Sequence, residues 1–487
     1  MRPCERAAPF EPPRRGSRSL RTGYTPATMT TTVRETFDVV VVGGGTAGLH
    51  AAAELASQGL RVVVLEKRRE GHSGARWCNG VLAWQLARAG LDTRWIDGHP
   101  RVGASHLVSP TGRHRFTIAD NPIIEADMRA LVEHLLARAL AAGVDVRWEV
   151  RDPSITLRGK RPVELSARQG DRRLVLEAAL FVDAAGLRGV LRSQVPELSR
   201  ACPPCAPADL CAAQQLMLRI DDADGARAFL REHAAAPGDV VSWLATAGGY
   251  STVNVGVDPS FEHVSVLAGS IPAGGAPSAA ALVRRVRAAH PWMGEPLFGG
   301  GGAIPLRRVY DRFTAPGVAL VGDAAGQVMT GHGSGIGFGL IAGKMLAEAV
   351  GGASDPGAPD ALWRYQAHFL RAFGGTLAAY DAVRRMSCAL GSEGIEALFA
   401  LGIFSPSLVR PGLDQRRGAL APREALRAGR QLVQRPALAR VVVPTLATLG
   451  AADALYRAYP RRKSGRAFAA WEATARRLLP RQGPGVA

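Results

Sequence analysis

The sequence predicts an α/β fold: a three-layer domain on a buried parallel sheet, interwoven with an antiparallel β-sheet domain and followed by a helical C-terminal region. Three observations predict it. The apolar run Val39–Val42 ends in Gly43-Gly44-Gly45 and passes into a small-residue helical stretch and a second apolar run, as a fully buried parallel strand does when it opens a βαβ unit. Another apolar run, Val318–Val321, ends in Gly322-Asp323 shortly before a long apolar helix, which returns the chain to the same sheet. Between them, Leu216–Ile220, Val240–Leu244 and Tyr250–Val257 read as antiparallel strands of a separate sheet, with Gly248-Gly249 turning the chain between the last two.

Met1–Thr32 is rich in Arg, Pro, Ser and Thr, carries no apolar periodicity and is expected to be disordered. Translation from Met1 and from Met29 are both open. Val39–Val42 as strand, Thr46–Gln58 as helix and Arg61–Glu66 as strand make the βαβ unit. Asp127–Ala142 is an amphipathic helix with Leu131, Leu135 and Ala139 at helical spacing; Gly143 closes it and the strand Val144–Val150 follows. Leu174–Val182 is a further strand, running into Asp183-Ala184-Ala185-Gly186. The tail is helical, interrupted by Pro406, Pro411, Pro422, Pro436 and Pro444. Residues 33–100, 125–200 and 300–352 are assigned to the parallel-sheet domain, 101–124 and 201–299 to the antiparallel domain, and 353–487 to the C-terminal region.

With 47% hydrophobic and 21% charged residues in a 487-residue chain, the composition is that of a globular enzyme, not of a disordered polymer or a membrane bundle. The longest apolar runs, Ala397–Val409 and Val441–Ala452, fall short of the roughly 20 residues that cross a bilayer, so no transmembrane helix is expected. The net charge is +18, yet only four basic residues are lysine (Lys67, Lys160, Lys344, Lys463), an arginine bias that fits codon usage in a GC-rich genome. No nucleic-acid partner is expected. From Leu401 onward 16 Arg and Lys stand against 4 Asp and Glu, and Arg461-Arg462-Lys463 follows an apolar stretch. This basic C-terminal region is either a solvated face or a peripheral contact with an anionic membrane. Six cysteines in so long a chain, three of them crowded at Cys202, Cys205 and Cys211, do not form the framework of a small secreted domain and fit a reducing cytoplasm.

Gly43-x-Gly45-x-x-Gly48, between a strand and a helix, has the context that makes a glycine pattern a Rossmann-type dinucleotide site. The first glycine makes the tight turn, the second admits a pyrophosphate and the third lets helix and strand pack closely. Thr46 and Ala47 begin the helix whose free N–H groups face the phosphates. Glu66 ends the second strand, where it would accept from ribose hydroxyls, and Lys67 and Val150 complete this cofactor-binding set.

Gly322-Asp323-Ala324-Ala325-Gly326, followed by Gly331-His332-Gly333-Ser334-Gly335-Ile336-Gly337 and a helix, resembles the second FAD motif of the geranylgeranyl reductase and para-hydroxybenzoate hydroxylase superfamily. The resemblance implies a glutathione-reductase-like FAD domain, with Asp323 on the ribityl chain and the helix from Gly335 and Ile336 aimed at the flavin pyrimidine. Asp183–Gly186 with Arg192 resembles the middle motif. Gly301-Gly302-Ala303-Ile304-Pro305 resembles the reductase branch, and Trp243 with Tyr250–Gly256 falls where that branch has its substrate sheet. Trp243, Gly301 and Gly302 are the candidate substrate residues. Met128 departs from the arginine of many members, and the double tryptophan of the halogenases is absent around Trp243.

Gly299–Gly302 is expected to be a loop packed against the isoalloxazine. No second nucleotide fingerprint is present, so NAD(P)H would bind transiently or a separate reductase would deliver electrons. Cys202-Pro-Pro-Cys205 with Cys211 lacks a fourth ligand for zinc and reads as a connecting loop; no metal is expected. Cys78 and His332 are the candidate proton donors. The favoured reaction is reduction of a carbon–carbon double bond in a small hydrophobic substrate. Flavin monooxygenation with NAD(P)H and dioxygen is the alternative, and non-catalytic FAD binding a further one.

Overall fold

The computed structural model describes residues 31–92, 102–418 and 421–479. The disorder expected for Met1–Thr32 lies almost wholly outside these residues; Thr31 and Thr32 already belong to β1 (Thr31–Val42). Gly43–Gly45 carry the chain into α1 (Thr46–Ala56) and β2 (Val62–Leu65). There follow β3 (Cys78–Leu82), α2 (Ala83–Arg88), β4 (Ser105–Val108), β5 (Arg115–Ile118), β6 (Ile123–Asp127) and α3 (Met128–Ala141). The Asp127 side chain caps α3 by accepting from the Arg129 N–H. The single strand expected at Val144–Val150 is broken, because Glu149 takes a φ of +58° between β7 (Asp145–Arg147) and β8 (Val150–Arg158). β9 (Arg161–Gln169) and β10 (Arg172–Asp183) complete this half.

The chain continues through α4 (Pro196–Ala201), β11 (Leu210–Ile220), α5 (Ala223–His233), β12 (Val240–Leu244), β13 (Ser251–Val257), β14 (His263–Ser270), α6 (Ala279–Ala289), β15 (Met293–Pro305), β16 (Thr314–Ala315) and β17 (Val318–Leu320). The helices α7 (Ile336–Val350), α8 (Pro359–Phe369), α9 (Gly375–Ala400), α10 (Pro406–Leu413), α11 (Pro422–Val433), α12 (Pro436–Arg457) and α13 (Gly465–Leu478) end it. Pro406, Pro422 and Pro436 start helices, where their missing N–H costs nothing, whereas Pro411 and Pro444 lie inside α10 and α12. Although no transmembrane helix was expected, α12 is long and apolar enough to cross a bilayer by length and composition. It joins Val441–Ala452 to further apolar turns, and Leu438, Val442, Ala452, Leu455 and Tyr456 pack against the protein.

The first sheet runs β16-β17-β10-β1-β2-β7, with β8 and β9 attached beside β10. β17, β10, β1, β2 and β7 are parallel neighbours, and the returning strand pairs Phe181–Asp183 with Val318–Leu320. Val39–Val42, Val62–Leu65 and Leu180–Val182 are buried, as a sheet covered on both faces requires. On one face α1 packs between α3 and α7. A Cβ on Gly343 of α7 would lie 3.0 Å from the Ala51 backbone, and one on Gly339 would lie 3.2 Å from the Ala47 Cβ. These glycines bring the N-termini of α1 and α7 together.

The second sheet has the order β15-β11-β14-β13-β12-β4-β5 and is antiparallel except where β12 meets β4. Its strands alternate. Leu216, Leu218, Val253, Val255, Val264 and Val266 turn to the side covered by α5 and α6. On the opposite side, Leu244 joins Ile395, Leu398, Phe399, Leu432 and Val442 of the C-terminal helices. β3 and β6 form a separate two-stranded ribbon.

Candidate functional site

Two helix N-termini and two carboxylates converge above the parallel strands. Gly43 sits at φ +111° where a Cβ would overlap the Ala184 carbonyl, and a Cβ on Gly48 would overlap the Gly43 carbonyl, so both positions admit only glycine. Gly45 is different: a Cβ there would meet only the Gly74 Cα, 4.0 Å away. It faces open space at the start of α1, which no side chain caps. Thr46 and Ala47 are partly exposed at the same end. The backbone donors of this turn are therefore available to a pyrophosphate.

Glu66 is buried at the end of β2. Its Oε2 accepts from the Gly44 N–H at 2.7 Å and its Oε1 from the Arg68 N–H at 2.9 Å, leaving lone pairs on both oxygens for ribose hydroxyls. Val150 is buried beside it and donates to the Glu66 carbonyl at 2.9 Å, while Lys67 is exposed.

The Gly322-Asp323 turn is pinned from below. The Gly322 N–H donates to Gln327 Oε1 at 2.6 Å, Gln327 Nε2 donates to the Tyr365 hydroxyl at 3.0 Å, and that hydroxyl donates to the Leu320 carbonyl at 2.9 Å. From behind, Arg192 donates to the Ala324 carbonyl at 3.2 Å and the Tyr310 hydroxyl at 3.1 Å. Asp183 itself faces inward and accepts from the Ala185, Leu191 and Arg192 N–H groups. Asp323 is the exception. No protein donor reaches its carboxylate among the described residues, and enclosure by the surrounding protein pushes its pKa up to about 6. A Cβ on Gly335, the uncapped N-terminus of α7, would lie 3.0 Å from Asp323 Oδ1, so Ile336 and its neighbours present free N–H groups beside this carboxylate.

This arrangement fits a dinucleotide flavin. The side-chain-free turn at Gly45 with the uncapped N-terminus of α1 matches the phosphates, Glu66 the adenosine sugar, Asp323 without a protein donor a polyhydroxyl chain, and the uncapped N-terminus of α7 the flavin ring.

Gly299–Gly302 corrects the expected loop: it lies within β15, with Gln215 opposite Gly300 and Ala213 opposite Gly302. The space left by the absent side chains of Gly300 and Gly302 is taken by the Trp77 indole, 2.6 Å from a Cβ built on Gly300. Trp77 was missed in the sequence because only this cross-domain contact gives it a role. Gly302 and Ile304 share a face with Trp77, and a Cβ on Gly333 would lie 3.5 Å from Ile304 Cδ1. That face therefore adjoins the second flavin turn. Gly301 and Trp243 lie on the other face. Trp243 packs against Phe229 and His233, with ring centroids 6.2 and 5.0 Å away, so the structure sets it apart from the flavin turns.

Cys78 begins β3 and is buried, and burial together with Glu125 and Asp127 pushes its pKa up to about 12. Glu125 stands opposite Gly80 on the paired strand, with its own pKa raised by burial; nothing local in the sequence marks it. His332 is exposed at its edge and donates from Nε2 to the Gly412 carbonyl of α10 at 3.1 Å, and desolvation of its ring by the surrounding protein lowers its pKa. Met128, the first residue of α3, is buried, and the following Arg129 grips Asp127 and stacks 3.9 Å from the Phe298 ring centroid. Cys202 ends α4 and donates to the Arg312 carbonyl, and burial pushes it up to about 12 and Cys211 up to about 11.

Residues 38–101 match the family described as FAD binding domain. Digeranylgeranylglycerophospholipid reductase 2 of Methanopyrus kandleri is 26% identical over 376 residues, 74% of this chain and 89% of its own. The digeranylgeranylglycerophospholipid reductase of Methanothrix thermoacetophila is 29% identical over 376 residues, 74% of this chain and 90% of its own. Among solved structures, a geranylgeranyl bacteriochlorophyll reductase-like protein from Thermoplasma acidophilum has a TM-score of 0.65 at 19% identity, over 85% of this chain and 100% of its own. A flavin-dependent brominase (TM-score 0.56, 14% identity, 78% and 93% covered) and a probable FAD-dependent monooxygenase from Pseudomonas aeruginosa (0.54, 19%, 76% and 100%) share the fold as well. With both flavin turns assembled around one cradle, the chain is an FAD-dependent oxidoreductase, similar in sequence to digeranylgeranylglycerophospholipid reductases and in fold to flavin-dependent reductases, monooxygenases and halogenases.

Proposed function

We propose that this enzyme reduces a carbon–carbon double bond in a hydrophobic, isoprenoid-like or secondary-metabolite substrate. One observation carries the choice over oxygenation: the relatives aligned along three quarters of the chain bear reductase names, while the monooxygenase and the brominase share the fold alone. When bound and reduced by an electron donor, the flavin would supply a hydride from N5 and return to its oxidised form. The N-terminus of α1 holds the pyrophosphate, and that of α7 favours negative charge beside it by roughly a kcal/mol. Asp323 and Glu66 fix the two sugar-like ends. Trp77 and the sheet face of Gly300, Gly302 and Ile304 cover the reacting side and exclude water.

The proton for the second carbon comes from water, Cys78 or His332. The high pKa of Cys78 and the bond from His332 to Gly412 favour water. Electrons come from transient NAD(P)H or from a separate reductase, and the enzyme works in the cytoplasm. Incubation with NADPH and a polyprenyl lipid under strict anaerobiosis should yield a product two hydrogens heavier. Turnover that requires dioxygen and places its oxygen in the product would establish a monooxygenase instead.

A further inference from the structure

Helices α11 and α12 carry apolar side chains that the protein leaves uncovered. Leu426 is 60% exposed, Val433 83%, Val443 52% and Leu446 48%. The most apolar window of α12 has a mean hydropathy of 1.4, yet only 28% of it is buried. A core helix would hide such a stretch. On α11, Leu426 and Val433 fall on one line along the helix, and Arg423 and Arg430 on a second line beside it.

The charge around these side chains is one-sided. Arg423, Arg427, Arg430, Arg435 and Arg440 have no carboxylate partner among the described residues, whereas Arg410, Arg417, Arg457 and Arg476 of the same region are paired. The acid on α11, Glu424, is engaged by the Ala421 N–H and the Ser407 hydroxyl. Exposed aliphatic side chains on helices that also carry unpaired arginines suit the boundary between anionic headgroups and acyl chains. The run Arg461-Arg462-Lys463 lacks this pairing, since Tyr459 and Trp471 beside it are buried.

We propose that α11 and α12 dock on an anionic lipid bilayer, with Leu426, Val433, Val443 and Leu446 entering the acyl boundary and the arginines meeting lipid phosphates. The inner sides of the same helices, through Ala428, Leu432, Leu438 and Val442, join the apolar cluster that reaches Leu244. Leu244 lies on the sheet face that carries Gly302. The docking helices thus cover one end of the sheet face whose other end, at β15, adjoins the flavin turns.

The test is sedimentation of the full-length holoprotein with vesicles, and it needs no turnover, so its outcome is separate from that of the reductase reading. Vesicles of equal parts phosphatidylcholine and phosphatidylglycerol should carry the protein down, pure phosphatidylcholine vesicles should not, and added salt should release it. The variant Leu426→Ser/Val433→Ser/Val443→Ser/Leu446→Ser and the variant Arg423→Glu/Arg427→Glu/Arg430→Glu/Arg440→Glu should each lose at least about tenfold in partitioning, with flavin absorbance retained. Val433→Ser alone, at a helix end, provides a milder variant should the fourfold ones misfold. Absence of any preference of the wild type for phosphatidylglycerol overturns the proposal, as does binding by all three variants equal to wild type. A dimer in light scattering that dissociates in the serine variant, without vesicle binding, overturns it in favour of a second copy of the chain.

Discussion

Two carboxylates in opposite situations define the cofactor site. Glu66 is held by two backbone N–H groups, whereas Asp323 is enclosed without a donor, its pKa pushed up from 3.8 to about 6. Because folding raises this pKa, the protonated form stabilises the apoprotein at low pH, and that contribution is lost as pH rises through about 6. Ribityl hydroxyls would donate to the ionised form. FAD binding to the apoprotein should therefore tighten between about pH 5 and about pH 7, by up to about tenfold per unit below the pKa, and Asp323→Asn should flatten the profile in a fluorescence titration. Asp323→Ala and Glu66→Ala should each weaken FAD by about 1–3 kcal/mol; full flavin content in both purified variants would sink this placement. Replacing a true proton donor costs about a hundredfold or more, so Cys78→Ala, which removes a thiol held near 12, should cost less than about tenfold in turnover. A larger loss with full flavin would restore Cys78 as the donor. Glu66 and Asp323 were legible in the sequence because each ends a strand at a set place in a motif. Trp77, Gln327, Tyr365 and Glu125 were not, since their partners are distant along the chain or become significant only through burial.

Among the elements, β12 and the strand cores of β1, β2, β10, β13 and β17 were readable from continuous apolar runs or turn glycines. The glycine-rich part of β15 was not. Four consecutive glycines carry no alternation, and only pairing with β11 makes them a strand. Trp243 was correctly placed on a strand but its face was not legible, because the side a strand buries depends on which helices later cover it. Packing of α1 against α7 gives the element-level prediction. Gly343→Ala puts a Cβ 3.0 Å from the Ala51 backbone and should destabilise by about 1–3 kcal/mol. Gly429→Ala in α11, where a Cβ meets nothing within 4 Å, should stabilise by about 0.5–1 kcal/mol. Thermal melts of the two variants shifting in the same direction would contradict this account of the helix contact.

The whole molecule depends on how the C-terminal helices are tied to the two sheets. Buried Arg384 of α9 donates to Asp209 at 2.7 Å and to Asp381 at 2.9 Å, and Arg385 bonds the same two carboxylates. Breaking a buried pair costs about 3–5 kcal/mol; with Arg385 in place, Arg384→Met should fall at the lower end of that range in a denaturant melt. This link was hidden in the sequence, where the tail showed only helices and positive charge. Its consequence is functional, because α10 closes on His332 and the segment after it bonds to α2 through Trp84 and Gln85. These bonds place the C-terminal helices beside the second flavin turn. The most direct measurement reduces the holoprotein under strict anaerobiosis, adds a geranylgeranyl lipid and follows flavin absorbance near 450 nm. The account predicts substrate-dependent return of the oxidised spectrum without dioxygen; a flavin that stays reduced until dioxygen is admitted would contradict it.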